Sequence, residues 1–225
     1  MMSQFVPYGT EREQKFPETA QLYGKLNDIV KGADIWVGRR YYMRKNVEML
    51  DYFWLNSAQG ADVGFGIEGF KLNNGGNLNL AVVQFNYPET DKKSNNSYVT
   101  DFRYLDLPIS ENSKLNFLAQ YGYKEADSVQ KLPKHHGYTL GAWWDYQKKN
   151  ISNTTTLLFR KGSTIDSGKT ISEYNGNYRI YDLDHALSLD LIQNFVYDDK
   201  LKHAIQATLV YQYRDYGIGN VDAEG

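Results

Sequence analysis

The stretch KHAIQATLVYQY, Lys202 to Tyr213, decides the fold. Read two residues at a time, it puts His203, Ile205, Ala207, Leu209, Tyr211 and Tyr213 on one face and Ala204, Gln206, Thr208, Val210 and Gln212 on the other. That is the period of a β-strand with one greasy side and one wet side. Two other stretches repeat the pattern. Leu115, Phe117, Ala119, Tyr121 and Tyr123 oppose Lys114, Asn116, Leu118, Gln120 and Gly122, while Tyr138, Leu140, Ala142, Trp144 and Tyr146 form a third greasy face. The aromatics gather toward strand ends, where a sheet passing from hydrocarbon into water needs an amphipathic girdle.

Composition agrees with a sheet of this kind. Tyr (19) outnumbers Phe (10), Gly is 19, Pro only 5, and mean hydropathy is −0.60. A soluble β-sandwich has similar composition, so these figures do not separate the two. No stretch approaches the roughly 18 apolar residues of a spanning helix, so a membrane location would require a barrel. A net charge of −2 offers no general attraction to nucleic acid. With no Cys, disulfides, thiolate metal sites and a Cys nucleophile are excluded.

Turn signals cut the chain into about ten strands. Residues 1 to 20 read as loop, Gln21 to Val30 as a weak strand and Ile35 to Met43 as a strong one. A Gly-rich strand from Ala61 meets a hairpin turn, NNGG at 73 to 76, and returns over Asn77 to Tyr87. Tyr98 to Leu107 pairs with Lys114 to Tyr123, and Gly137 to Gln147 with Asn153 to Arg160. Lys161 to Asn177 reads as a long loop, and Asp184 to Val196 pairs with Lys202 to Tyr213. Short turns alternate with long polar loops, the pattern of an up-and-down barrel with loops on one membrane side. So many strands rarely stay open, and an open edge is not tolerated in lipid.

Ile35 to Asn56, IWVGRRYYMRKNVEMLDYFWLN, mixes rings and charges more densely than any other stretch. Arg44, Lys45, Asn46, Glu48 and Asp51 interrupt any apolar face, so the second half leaves the sheet. Charged groups beside Tyr52, Phe53 and Trp54 offer what a sugar needs, hydrogen bonds for its hydroxyls and flat rings for its apolar faces. The plainer reading is a short surface segment with a solvated face.

The run WVGRRYYMRKNVEMLDYFW resembles the maltoporin-type sugar porins of bacterial outer membranes, where a barrel strand enters the third loop. A short second match, LDHA at 183 to 186, follows in the same order. The resemblance implies an all-β, transmembrane antiparallel β-barrel, of which residues 1–225 would be a single partial segment of a porin of about eighteen strands. It implies that 44–59 is an inward-folded constriction loop. Carried over residue by residue, Arg44 and Asp51 fall on ionisable residues of the sugar track, Asn46 where the family usually has an aspartate, and Phe53 where it has a tyrosine facing the aromatic path. The plainer alternatives are a solvated loop residue for Arg44 and an ordinary ion-pair partner for Asp51. A track arginine has no counterpart near Pro17, and a path aromatic none near Ile151 or Ser152. The resemblance further implies passive diffusion of maltose and maltodextrins, an outer-membrane location with lipid around the barrel, a homotrimer and no cofactor.

The start, MMSQFVPYGTERE, has no charged region followed by an apolar one, and the end, GIGNVDAEG, has no terminal aromatic strand. The expectation is therefore a piece of a longer protein. His135 and His136 read as loop residues; on a strand they would point oppositely, a poor geometry for a shared metal. Asp184 and His185 suggest part of a hydrolytic triad, but no GxSxG accompanies them. His185 is read as a wall residue or a structural hydrogen-bonder, and the chain as no enzyme. The glycines at 60 to 69 lack the Lys-Ser/Thr pair and helix of a phosphate loop. Rival readings are a porin for sucrose or aryl glucosides, a general diffusion porin, and a soluble carbohydrate-binding β-sandwich.

Overall fold

The computed structural model describes residues 2–5, 19–47, 52–53, 62–86, 96–126, 134–162, 171–174, 177–180, 187–200 and 203–215. Eleven strands make one sheet: β1 (Met2–Phe5), β2 (Thr19–Val30), β3 (Ala33–Arg40), β6 (Asp62–Lys71), β7 (Asn77–Asn86), β8 (Asn96–Ser110), β9 (Ser113–Lys124), β10 (His135–Lys148), β11 (Ile151–Gly162), β14 (Leu187–Asp198) and β15 (Ala204–Asp215). Each pairs antiparallel with the next sheet strand along the chain. Two small ribbons lie outside it. β4 (Asn46–Val47) pairs with β5 (Tyr52–Phe53) between β3 and β6, and β12 (Ile171–Tyr174) with β13 (Asn177–Ile180) between β11 and β14.

The alternation read from the sequence sorts side chains onto two faces. One face is apolar and exposed, with Val37, Phe65, Phe117, Tyr121, Leu140, Trp144, Leu157, Leu191, Leu209 and Tyr211 among its members. The opposite face is polar and largely buried: Glu68, Asn79, Asp101, Arg103, Asn116, Gln120, Thr139, Thr156 and Asp190. This inverts a soluble protein, and it suits a sheet whose greasy side meets lipid. The buried hydrophobics form two small clusters, Trp36, Tyr42, Ala81, Val83 and Val99 in one, Leu118, Trp143, Leu158 and Ile192 in the other.

Four sequence expectations are corrected. β3 stops at Arg40, three residues short of Met43, because Arg40 faces Asp62 at the start of β6 and Met43 takes a left-handed φ of 40°. Residues 2–5 are a strand, held to β2 by backbone pairing that face alternation does not reveal. The stretch read as one long loop contains β12, and β13 follows it. His135 and His136 open β10, with His135 buried on the polar face and His136 exposed beside Tyr121 on the apolar one. Asp184 and His185 lie outside the described residues.

Candidate functional site

The chain leaving β3 turns onto the polar face, and the residues beneath it explain why. Trp36 projects from β3 onto that face and is 1% exposed. It lies over the glycines of β6: a Cβ at Gly66 would sit 2.8 Å from the indole Nε1 and 2.6 Å from the Leu80 carbonyl oxygen. The glycines that resembled no phosphate loop therefore make room for a ring. Gly38, at φ 130°, meets a second constraint, since a Cβ there would lie 2.5 Å from the Leu22 carbonyl oxygen.

Tyr42 stacks on Trp36, with ring centroids 5.3 Å apart and planes at 29°. The Arg40 guanidinium lies among three rings, 4.7 Å from Tyr23, 4.9 Å from Trp36 and 5.8 Å from Tyr42. Its Nη1 is 2.7 Å from Glu68 Oε1, and Lys25 Nζ lies 2.7 Å from Asp34 and 3.4 Å from Glu68. Burial, with Asp101 nearby, pushes the Tyr42 phenol above its ordinary pKa and keeps it neutral.

Beyond Tyr42 the segment crosses to β8. Arg103 Nε and Nη2 donate to Asp101 Oδ1 and Oδ2 at 2.8 and 2.9 Å, and Gln120 Nε2 donates to Asp101 Oδ2 at 2.7 Å. Thus oriented, Arg103 turns Nη1 to the Met43 carbonyl oxygen, 2.5 Å away. The segment then reaches β10, where Lys45 Nζ lies 3.0 and 3.2 Å from the two oxygens of Asp145 and 5.4 Å from the Trp143 ring centroid. Residues 40 to 45 thus form a strap over β3, β8 and β10.

Next to Lys45 a cavity of about 660 Å³ opens toward the short-turn ends of β8 to β11. Lys45, Asp106, Lys114, Asp145, Ser152 and Thr154 contribute to its lining. Such a wall offers donors and acceptors of both charges to a hydroxyl-rich solute.

Of the residues singled out in sequence, Arg44 sits in the strap with its guanidinium 3.5 Å from the Tyr41 ring centroid. Asn46 and Phe53 face each other across the β4–β5 ribbon. Asp51 lies outside the described residues. Sequence reasoning assigned no role to Arg103, Asp101 or Asp145, and read Lys45 only as one of the charges that take the segment out of the sheet. The signal for the first two was present in Asp101-Phe102-Arg103, where opposite charges at i and i+2 share one face of a strand. No group of three or more metal-ligating side chains occurs among the described residues.

The family model described as LamB porin matches residues 1–224. Maltoporins of three Vibrio cholerae serotype O1 strains, El Tor Inaba N16961, Classical Ogawa 395 and M66-2, are each 32% identical to the chain over 101 residues. That alignment covers 44% of this chain and 22% or 23% of each relative.

Proposed function

The chain belongs to the LamB porin family, and from that premise we propose that the protein is a sugar-selective porin of the bacterial outer membrane. Members of the family are β-barrel channels, not enzymes, and the antiparallel sheet with its exposed greasy face fits a barrel wall. The proposed activity is passive, facilitated diffusion of maltose and maltodextrins through a homotrimer.

The observation that carries this reading is the strap: a ring-rich, charged segment laid across the polar face of the wall. Lys45 reaches Asp145, 100 positions away in sequence. On this reading the segment narrows the lumen and offers Arg44, with Asn46 and Phe53 next along the chain, to a passing solute. We assign residues 44–59 to the constriction loop. Arg44 and Asp51 exchange hydrogen bonds with successive sugar hydroxyls, Asn46 adds a neutral donor and acceptor, and Phe53 stacks on the apolar sugar face. Each contact must draw the sugar in and still release it, so many weak sites serve better than one strong one.

Variants of the full-length protein in planar bilayers test the assignment. Arg44→Ala or Asp51→Ala raises the maltotriose concentration that half-blocks the ion current by about tenfold, the effect of one charge-assisted hydrogen bond. Half-blocking concentrations unchanged in both variants would remove these residues from the path. Blocking by sucrose or aryl glucosides in preference to maltodextrins would place the protein with the other sugar porins.

A further inference from the structure

Past the Tyr41–Gln21 hydrogen bond and the Tyr42–Trp36 stack, the strap meets the wall at Met43 and at Lys45, and these attachments differ in kind. At Met43 the donor is Arg103, whose side chain is 2% exposed and clamped by Asp101 on two nitrogens. At Lys45 the acceptor is Asp145, and both side chains are 33% exposed. Asp145 is itself held by the wall from several sides. Thr154 Oγ1 from β11 donates to Oδ1 at 2.6 Å, Asn116 Nδ2 from β9 donates to Oδ2 at 3.0 Å, and Trp143 Nε1 donates to the same oxygen at 3.2 Å.

Three strands thus fix one carboxylate where the strap's ammonium meets it. A carboxylate so oriented does not follow Lys45 if the strap moves, so the pair resists displacement with its full geometry. Lys45 and Asp145 also line the 660 Å³ cavity, so the spacing between strap and wall there sets its width.

We propose that Asp145 is a positioning residue which, through Lys45, holds the strap at a fixed distance from the wall and so sets the selectivity of the channel. The proposal rests on the sugar-porin reading for its effect on sugar. For its effect on strap position it requires only a channel. The Arg103–Met43 contact, made by a buried guanidinium, is the pivot, and the more exposed Lys45–Asp145 pair is the tether. With the tether cut, the strap swings about Met43, Arg44 loses its fixed place, and the cavity width fluctuates.

The test is a double-mutant cycle on the full-length channel, with Lys45→Met, Asp145→Asn and both together. It reads open-channel current noise without sugar and the half-blocking concentration of maltotriose. Lys45 lies in a connection outside the strands, so Lys45→Met leaves the wall intact. Each single variant is expected to raise current noise and to weaken sugar block on the order of fivefold, and the double variant to match the singles rather than multiply them. Lys45→Arg, which keeps charge and reach, restores both readouts. Independent, multiplying effects on block with unchanged noise would mean that the two residues touch sugar separately and would overturn the tether. Unchanged noise and unchanged block would overturn it as well. A wild-type channel that no sugar blocks would defeat the sugar-porin reading alone, because the noise cycle still reports on the tether.

Discussion

Replacing Asp101 by Asn tests whether the wall beneath the strap is a built ion pair or an incidental contact. Asp101 is 0% exposed and accepts hydrogen bonds from Arg103 Nε and Nη2 and from Gln120 Nε2, at distances between 2.7 and 2.9 Å. Asn is nearly the same size, so the substitution changes charge and hydrogen bonding rather than volume. Its single carbonyl oxygen can serve one donor well, and its amide group then faces the N–H groups of Arg103 or Gln120. The Arg103 cation stays buried without this counter-ion. Breaking one partner of a buried pair in this way costs about 3–5 kcal/mol. Urea unfolding of the full-length protein in lipid vesicles should show a lower midpoint with an unchanged slope. The double variant Asp101→Leu with Arg103→Met removes both charges and recovers most of that loss, since an apolar pair of similar volume is commonly neutral or better. It also deprives the Met43 carbonyl of its donor, so the double variant is stable yet electrically noisy. An Asp101→Asn protein within about 0.5 kcal/mol of wild type would mean that water or ions reach the pair freely and that it is no built ion pair.

Two further substitutions separate the elements of the account. Gly66→Val forces the Trp36 ring away from β6; the overpacking costs about 1–3 kcal/mol, and Trp fluorescence should shift as the ring leaves its seat. Wild-type fluorescence and stability would show that β6 tolerates a side chain under the ring. Leu140→Arg, at a 53% exposed position on the apolar face, costs about 2–4 kcal/mol if that face meets the bilayer midplane. In a soluble sandwich an exposed Leu→Arg change would be nearly neutral, so unfolding titrations of this variant distinguish the two architectures.

Much of the sheet was legible because two-residue alternation survives wherever one face is wet and the other greasy. Ala204 to Tyr213 falls on β15 and Leu115 to Tyr123 on β9, with the faces read from sequence, as Tyr211 and Phe117 among the exposed and Gln120 among the buried residues demonstrate, while Lys202 lies outside the described residues. Strand ends were less legible, since they depend on partners rather than on composition: β3 ends where its pairing with β6 ends. The β12–β13 ribbon was missed although Asn175-Gly176, a common two-residue hairpin signal, stands between its strands. Trp36 illustrates a different obstacle. Sequence places it in a strong strand, but its seat is made by glycines about thirty positions on, a long-range fit that no local pattern encodes. For the candidate site, the density of rings and charges singled out the segment that leaves β3, whose Met43 and Lys45 meet the polar face of the wall. The wall residues that hold it, Arg103 and Asp145, lie in strands whose alternation marks only the face they occupy.

The most direct test of the sugar channel is the ion current of the full-length wild-type protein in a planar bilayer while maltose, maltotriose and longer maltodextrins are added in turn. A sugar-selective porin gives a stable open-channel current that each sugar blocks in a saturable, concentration-dependent way, more strongly as chain length grows and more polar-face contacts are engaged at once. A current that none of these sugars changes at any concentration would contradict that function.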